Sequence, residues 1–161
     1  MIANIALGSN IGDPRVNVTA AIGHVCELGT LVVCSHLYET KPWGVTDQPD
    51  FCNAVMQIET ALRPHALLAA LKAIEVRMGR TATYRWGPRL IDLDLLTMGD
   101  EEVDDEVLTL PHPRIGERSF VLVPLAEIAP EYAEIRDKLP PEDVASVKII
   151  DMGINMDIDV G

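Results

Sequence analysis

Ile2-Ala3-Asn4-Ile5-Ala6-Leu7-Gly8-Ser9-Asn10-Ile11-Gly12-Asp13-Pro14 decides how the chain begins to fold. Ile2 to Leu7 is an apolar run of strand length that ends in the turn residues Gly8, Ser9 and Asn10, and Asp13-Pro14 supply an N-cap and a first helical residue. Val16, Ala20, Ile22 or Gly23 and Cys26 then recur at helical spacing as far as Leu28, where Gly29 suits the helix end. The first unit is a strand followed by a helix.

Working outward, Leu31 to Tyr38 and Phe51 to Thr60 are rich in β-branched and aromatic residues, which predicts two strands. They bracket a long Pro/Gly-containing connector from Thr40 to Asp50, and long loops inside compact domains commonly carry function. Arg63-Pro64 opens a second helix, in which Leu67, Leu68, Leu71, Ile74, Glu75 and Met78 keep helical spacing until Gly79. Thr81 to Pro88 reads as loop, Leu90 to Met98 as strand, and Val107 to Leu110 as a shorter apolar piece. Ser119 to Ile128 adds a helix on the opposite face, despite Pro124.

The order βαββαβ predicts an α+β fold: a ferredoxin-like antiparallel sheet with helices on both faces, in three α-β-α layers. One domain is expected over residues 1–161, with 140–161 as a C-terminal extension. In that extension Ile154, Met156, Ile158 and Val160 alternate with Asn155, Asp157 and Asp159, which is strand periodicity and predicts a terminal strand or hairpin.

Composition narrows the function. A formal charge of -12 argues against a nucleic-acid binder or an anionic-membrane binder, because phosphate backbones are held by basic surfaces. No run is apolar for long enough to cross a bilayer, and Met1 to Asn10 lacks the basic region and cleavage site of a signal peptide, so a cytoplasmic protein is expected. Cys26, Cys34 and Cys52 form an odd, scattered set that suits a reducing compartment and reads as packed thiols. Against the acidic background Arg77, Arg80, Arg85 and Arg89 fall close together, whereas Asp100 to Glu106 contributes six carboxylates interrupted only by Val103. Solvated ion pairs are the usual fate of such charges.

The richest stretch for chemistry is Arg85-Trp86-Gly87-Pro88-Arg89-Leu90-Ile91-Asp92-Leu93-Asp94-Leu95. In a strand Asp92 and Asp94 share one face, about 7 Å apart at Cα, while Ile91, Leu93 and Leu95 take the other. Two carboxylates so close disfavour joint ionisation unless a cation lies between them, and magnesium is commonly held by one or two carboxylates together with substrate phosphates. A bare Asp-x-Asp is more often a solvated strand face. Here Arg85 and Arg89 add planar bidentate donors for phosphate oxygens, which makes the combination more specific than either part. Trp86 is either a core residue or a wall beside a planar ligand.

The segment resembles the signature of the 6-hydroxymethyl-7,8-dihydropterin pyrophosphokinase family of folate biosynthesis. Further landmarks follow in the family's order: Ala6 to Asn10, Tyr38-Glu39-Thr40, Asp47 to Asn53, Glu75 to Arg80, and Pro111-His112-Pro113 followed by Arg118 and Phe120. The resemblance spans Ile2 to Pro130. It implies transfer of pyrophosphate from ATP to the hydroxymethyl group of a reduced pterin, by attack on the β-phosphorus with AMP leaving. It also implies two magnesium ions on Asp92 and Asp94, with Arg80 and Arg89 stabilising the phosphates; these four are the expected catalytic residues.

By the same resemblance Phe51 and Phe120 are the aromatic walls of a pterin slot, Asn53 reads the heterocycle's polar edge, and Thr40, Lys41, Pro42, Trp43 and Trp86 complete the substrate site. Glu75, Leu95, Thr109, His112 and Arg118 join Arg80 and Arg89 as ATP contacts. ATP and a reduced pterin are the expected partners, with no nucleic acid and no membrane, and the chain is expected to be a monomer. Gly8-Ser9-Asn10 lacks the spacing of a P-loop and reads as a turn that shapes the scaffold. The chain departs from the family's pattern at Ala82 and Thr83, where a basic residue is common, at Trp43, commonly aliphatic, and at Pro113, aromatic in some members. A non-catalytic pterin or nucleotide binding module, or a related ATP-dependent transferase acting on another planar alcohol, are the alternatives.

Overall fold

The computed structural model describes residues 1–41, 47–79 and 90–150. In chain order its elements are β1 (Ile2–Ser9), α1 (Pro14–Val25), β2 (Thr30–Cys34), β3 (Tyr38–Thr40), β4 (Phe51–Glu59), α2 (Pro64–Arg77), β5 (Asp92–Met98), the short β6 (Val103–Asp104) and β7 (Thr109–Leu110), α3 (Ser119–Ile128), α4 (Ala133–Arg136), α5 (Pro141–Ala145) and β8 (Lys148–Ile149). The strand order is β5-β1-β4-β3-β8, with β2 also paired to β4, and every pairing is antiparallel. β1, the most apolar run at the start of the sequence, therefore lies inside the sheet with a partner on each side.

Period-two alternation sends the two sides of each central strand to different cores. Ile5 and Leu7 of β1, Met56 and Ile58 of β4, and Leu93 and Leu95 of β5 pack with Ile22 of α1 and Leu71 of α2. The opposite sides, carrying Ala6, Val55 and Leu96, pack with Leu122 and Leu125 of α3. Each large apolar side chain so buried stabilises the fold by about 1.5–3 kcal/mol. Mixed helix and antiparallel sheet, with helices on both faces, is thus the observed architecture.

Local chemistry explains the boundaries. Asp13 Oδ1 accepts the Val16 amide at 3.3 Å and Pro14 opens α1, while Gly79, at φ +87°, follows the end of α2 in a conformation that a side chain disfavours. The strand predicted over Leu31 to Tyr38 divides into β2 and β3. Ser35 causes the break: its amide donates to the Val55 carbonyl at 2.9 Å, but its hydroxyl, rather than a backbone carbonyl, accepts the Val55 amide at 3.0 Å. β5 begins at Asp92 rather than Leu90, and the piece predicted at Val107 to Leu110 is reduced to β7, paired with β6 in a separate ribbon. In the C-terminal extension the described strand is β8, which pairs with β3; the alternation at 154–160 lies outside the described residues. Cys52 is buried and Cys26 and Cys34 are half-buried, as packed thiols should be.

Candidate active site

A cross-strand row builds the site. Gly8 on β1 is paired with Asp92 on β5 and with Asn53 on β4, and Asn53 is paired in turn with Tyr38 on β3. Paired residues project to one face, and strands lie about 4.8 Å apart, so Asp92 and Asn53 stand roughly 10 Å apart across a glycine that fills nothing between them. The next pairing sets Asp94 beside Ala6. At this end of the face covered by α3, the central strand contributes the small residues Ala6 and Gly8, and a cleft opens above them. A side-chain carbon added at Gly8 would come within 2.7 Å of Asn53 Oδ1.

Three walls surround that floor. Asp92 and Asp94 line one side, Phe51, Asn53 and Thr40 the other, and Arg118, Phe120 and Val121 descend from the start of α3. Lys41 stands at the mouth, 3.3 Å from Asp50. Asn53 is 6% exposed and its Nδ2 donates to Thr40 Oγ1 at 2.5 Å, which fixes the orientation of its amide toward the cleft. The Arg118 guanidinium carbon lies 5.6 Å from the Phe120 ring centroid, a cation–π distance that ties an anion-binding group to an aromatic wall.

Burial first, then the Asp92 carboxylate, pushes Asp94 from the ordinary 3.8 up to about 7, while Lys72 and Arg118 oppose the rise. A carboxylate held so far from its ordinary range is a mark of a functional site. Burial, then the Arg118 and Arg114 cations, lower the pKa of His112. Its Nδ1 accepts the Arg114 amide at 3.2 Å, so the neutral ring carries its proton on Nε2.

Behind β5 a second pair of side chains holds the carboxylates' strand. Among the described residues β5 is the end strand of the sheet, and its Leu93 amide donates to Glu75 Oε2 at 2.7 Å, while Lys72 Nζ donates to the Leu93 carbonyl at 3.2 Å. Glu75, 1% exposed, therefore completes the ladder in place of a neighbouring strand. The residue between the two aspartates is clamped from outside.

Of the residues singled out from sequence, Thr40, Lys41, Phe51, Asn53, Asp92, Asp94, Arg118 and Phe120 line one cleft. Glu75, Leu95, Thr109 and His112 do not line it: Glu75 grips the edge of β5, Leu95 points into the α1/α2 core, Thr109 sits in β7, and His112 lies near Arg118. Pro42, Trp43, Arg80, Trp86 and Arg89 lie outside the described residues, as does Arg85. Sequence reasoning missed Ala6, Leu7, Gly8, Ala54 and Val121 as lining residues. The signal was present in β1, where small Ala6 and Gly8 alternate with large Ile5 and Leu7.

The structure thus presents a cleft of paired carboxylates, an arginine and two aromatic rings on an antiparallel sheet with helices on both faces. Comparison with known proteins identifies the class. The chain belongs to the 7,8-dihydro-6-hydroxymethylpterin-pyrophosphokinase family, whose profile matches residues 4–130. A 2-amino-4-hydroxy-6-hydroxymethyldihydropteridine pyrophosphokinase of Methylorubrum extorquens is 44% identical over 155 residues, covering 92% of this chain and 98% of the relative. The enzyme of that name from Bacillus subtilis is 47% identical over 129 residues, covering 79% of this chain and 77% of the relative. Among solved structures, a Plasmodium falciparum HPPK-DHPS with pteroate has TM-score 0.66 at 16% identity, covering 85% of this chain and 44% of that one. The likeness to that longer protein is one of fold, and this chain spans less than half its length.

Proposed function

We propose that the cleft above Gly8 is the active site of this family's reaction in the present chain. The protein transfers pyrophosphate from ATP to the hydroxymethyl group of 6-hydroxymethyl-7,8-dihydropterin, giving AMP and the pterin diphosphate, a step of folate biosynthesis. The observation that carries the site assignment is the convergence of Asp92, Asp94, Asn53, Phe51, Phe120 and Arg118 on one opening from three separate segments, β5, β4 and the start of α3.

Phe51 and Phe120 offer flat faces for the pterin, and Asn53, held by Thr40, presents a fixed amide to the ring's polar edge. Lys41, Pro42, Trp43 and Trp86 belong to the same reading of the substrate site. The triphosphate lies toward Asp92, Asp94 and Arg118, with Arg80, Arg89 and neutral His112 as further phosphate contacts, and with Glu75, Leu95 and Thr109 on the nucleotide side. Asp92 and Asp94 are the residues that would hold magnesium, two ions in this reading; two carboxylates on one strand face, with Asp94 raised by burial and by Asp92, suit a cation that would relieve their repulsion. When bound, the metal supplies charge neutralisation and positioning for the phosphates.

The chain's own residues hold the hydroxymethyl oxygen in line with the β-phosphorus, so that the new O–P bond forms as the bond to the α-phosphate bridging oxygen breaks and AMP departs with that oxygen. The hydroxyl proton passes to a base, for which Asp92 or Asp94 is within the site. We further assign the sheet to the ferredoxin-like βαββαβ class, on the order β5-β1-β4-β3 and its antiparallel pairings. Residues 1–161 are read as one domain, with a C-terminal extension, acting as a monomer in the cytoplasm. Among the described residues no helix is long and apolar enough to cross a membrane.

Incubation of the protein with ATP, magnesium and the reduced pterin should yield AMP and pterin diphosphate in equal amounts. Phe51→Ala and Asn53→Ala should weaken pterin binding while leaving ATP binding in place. Pterin titrations unaffected by both substitutions would remove the cleft from consideration.

A further inference from the structure

At the far end of α3 from Phe120, a carboxylate that the reaction does not use gathers three hydrogen bonds from β3 and the residues before it. Glu127 accepts from the Tyr38 hydroxyl through Oε1 at 2.5 Å, from the His36 amide at 3.1 Å to each oxygen, and faces His36 Nδ1 at 2.8 Å through Oε2. Tyr38 is 5% exposed, and its pKa is raised by burial and by the Glu127 bond, so the phenol stays a donor. These contacts join elements remote in sequence at one point.

Their placement relative to the cleft gives them a use. Glu127 and Phe120 are seven residues apart on α3, two helical turns, and so occupy one stripe of the helix. On β3, Tyr38 and Thr40 alternate to the same face, Tyr38 opposite Asn53 and Thr40 opposite Phe51. The stripe that ends in Phe120 over the cleft is thereby fastened, at its other end, to the strand that supports Thr40, Asn53 and Phe51. Van der Waals packing of Val121, Leu122 and Leu125 holds the helix against the sheet, but apolar contacts tolerate sliding that three directional bonds do not.

We propose that Glu127 is a positioning residue for the pterin slot: through Tyr38 and His36 it sets the height and rotation of α3 over β3 and β4, and so the gap between Phe120 and Phe51. The proposal rests on the reading of that cleft as the pterin site. The carboxylate never meets substrate.

Glu127→Gln tests it with little change of shape. A glutamine retains one oxygen for the Tyr38 hydroxyl and one branch of the His36 amide bond, while its NH2 meets the other branch donor against donor, so the fastening is weakened. Steady-state kinetics of the full chain should show KM for the reduced pterin raised roughly fivefold by Glu127→Gln, about the net effect of one partly exposed hydrogen bond. KM for ATP and kcat should stay within about twofold, since the carboxylates of β5 are untouched. Tyr38→Phe should raise the same KM, and the double variant should be less than additive because both act through one carboxylate. Unchanged pterin KM in a folded Glu127→Gln protein would overturn the proposal. So would equal rises in both KM values, or full additivity of the two substitutions. A wild-type protein that makes no pterin diphosphate would overturn the underlying reading of the cleft, and the positioning role with it.

Discussion

Asp94→Asn should make the protein more stable while it stops turnover. Asp94 titrates near 7 in the folded chain because burial and the Asp92 charge disfavour its ionised form. The unfolded chain has no such environment and releases this proton near the ordinary 3.8. Between these two values the native state holds more protons than the unfolded state, so stability falls as pH rises from about 4 to about 7 and is level above that. The gap from 3.8 to about 7 corresponds to at most about 4 kcal/mol, and water in the open cleft reduces it to about 2.

Asparagine keeps the size of the side chain and carries no charge at any pH, so the variant escapes this cost. Thermal unfolding of metal-free protein, with a chelator present, should show Asp94→Asn melting higher than wild type by about 4–8 °C near pH 8. Near pH 5 the advantage should shrink to less than half, because the wild-type side chain is then protonated in the native state. Turnover should be lost at both pH values. A variant no more stable than wild type near pH 8, or one whose advantage does not depend on pH, would refute the argument that this carboxylate is held against its own preference.

Gly8→Ala should close the floor of the cleft, since the added carbon lands 2.7 Å from Asn53 Oδ1 and Asn53 is tied to Thr40; KM for the pterin should rise about tenfold with ATP affinity kept, measured by separate titrations. Glu75→Ala leaves the Leu93 amide buried without its acceptor and should cost about 1–3 kcal/mol in chemical denaturation, whereas Glu75→Gln, which retains an acceptor oxygen, should cost less. Hydrogen exchange at the Leu93 amide should quicken in Glu75→Ala and stay slow in Glu75→Gln.

The sheet and its three main helices were legible because apolar period, caps and breakers agreed: Asp13-Pro14 and Gly79 mark helix ends in sequence and do so in the fold. The paired aspartates were legible because strand alternation fixes their face whatever the strand's neighbours. Other features depend on pairing that no local pattern carries. Ser35 breaks a strand through a hydroxyl bonded to Val55, twenty residues away, and Glu75 reads as one more helix residue until β5 proves to be the sheet's edge. Gly8 looked like turn material because it stands at a strand's end, and only its register against Asp92 and Asn53 makes it the floor of a cleft. Glu127 carried no signal at all, for its partners lie about ninety residues earlier.

That register also explains how one sheet can be a core and a catalytic surface at once. On the α1/α2 side Ile5, Leu7, Leu93 and Leu95 are large and closed off from water; on the other side of the same strands Ala6, Gly8, Asp92 and Asp94 are small or charged and leave an opening. A one-residue slip of β5 would exchange the two sets, driving two carboxylates into an apolar core at a cost of several kcal/mol each and exposing two leucines. The fold therefore penalises every register but the one that presents the aspartates to the cleft. Glu75 and Lys72 strengthen the same choice, because they grip the amide and carbonyl of Leu93, the residue that separates the two carboxylates. Stability and site geometry are set by the same strand pairing, so a substitution that loosens the grip on Leu93 acts on the carboxylates without touching them.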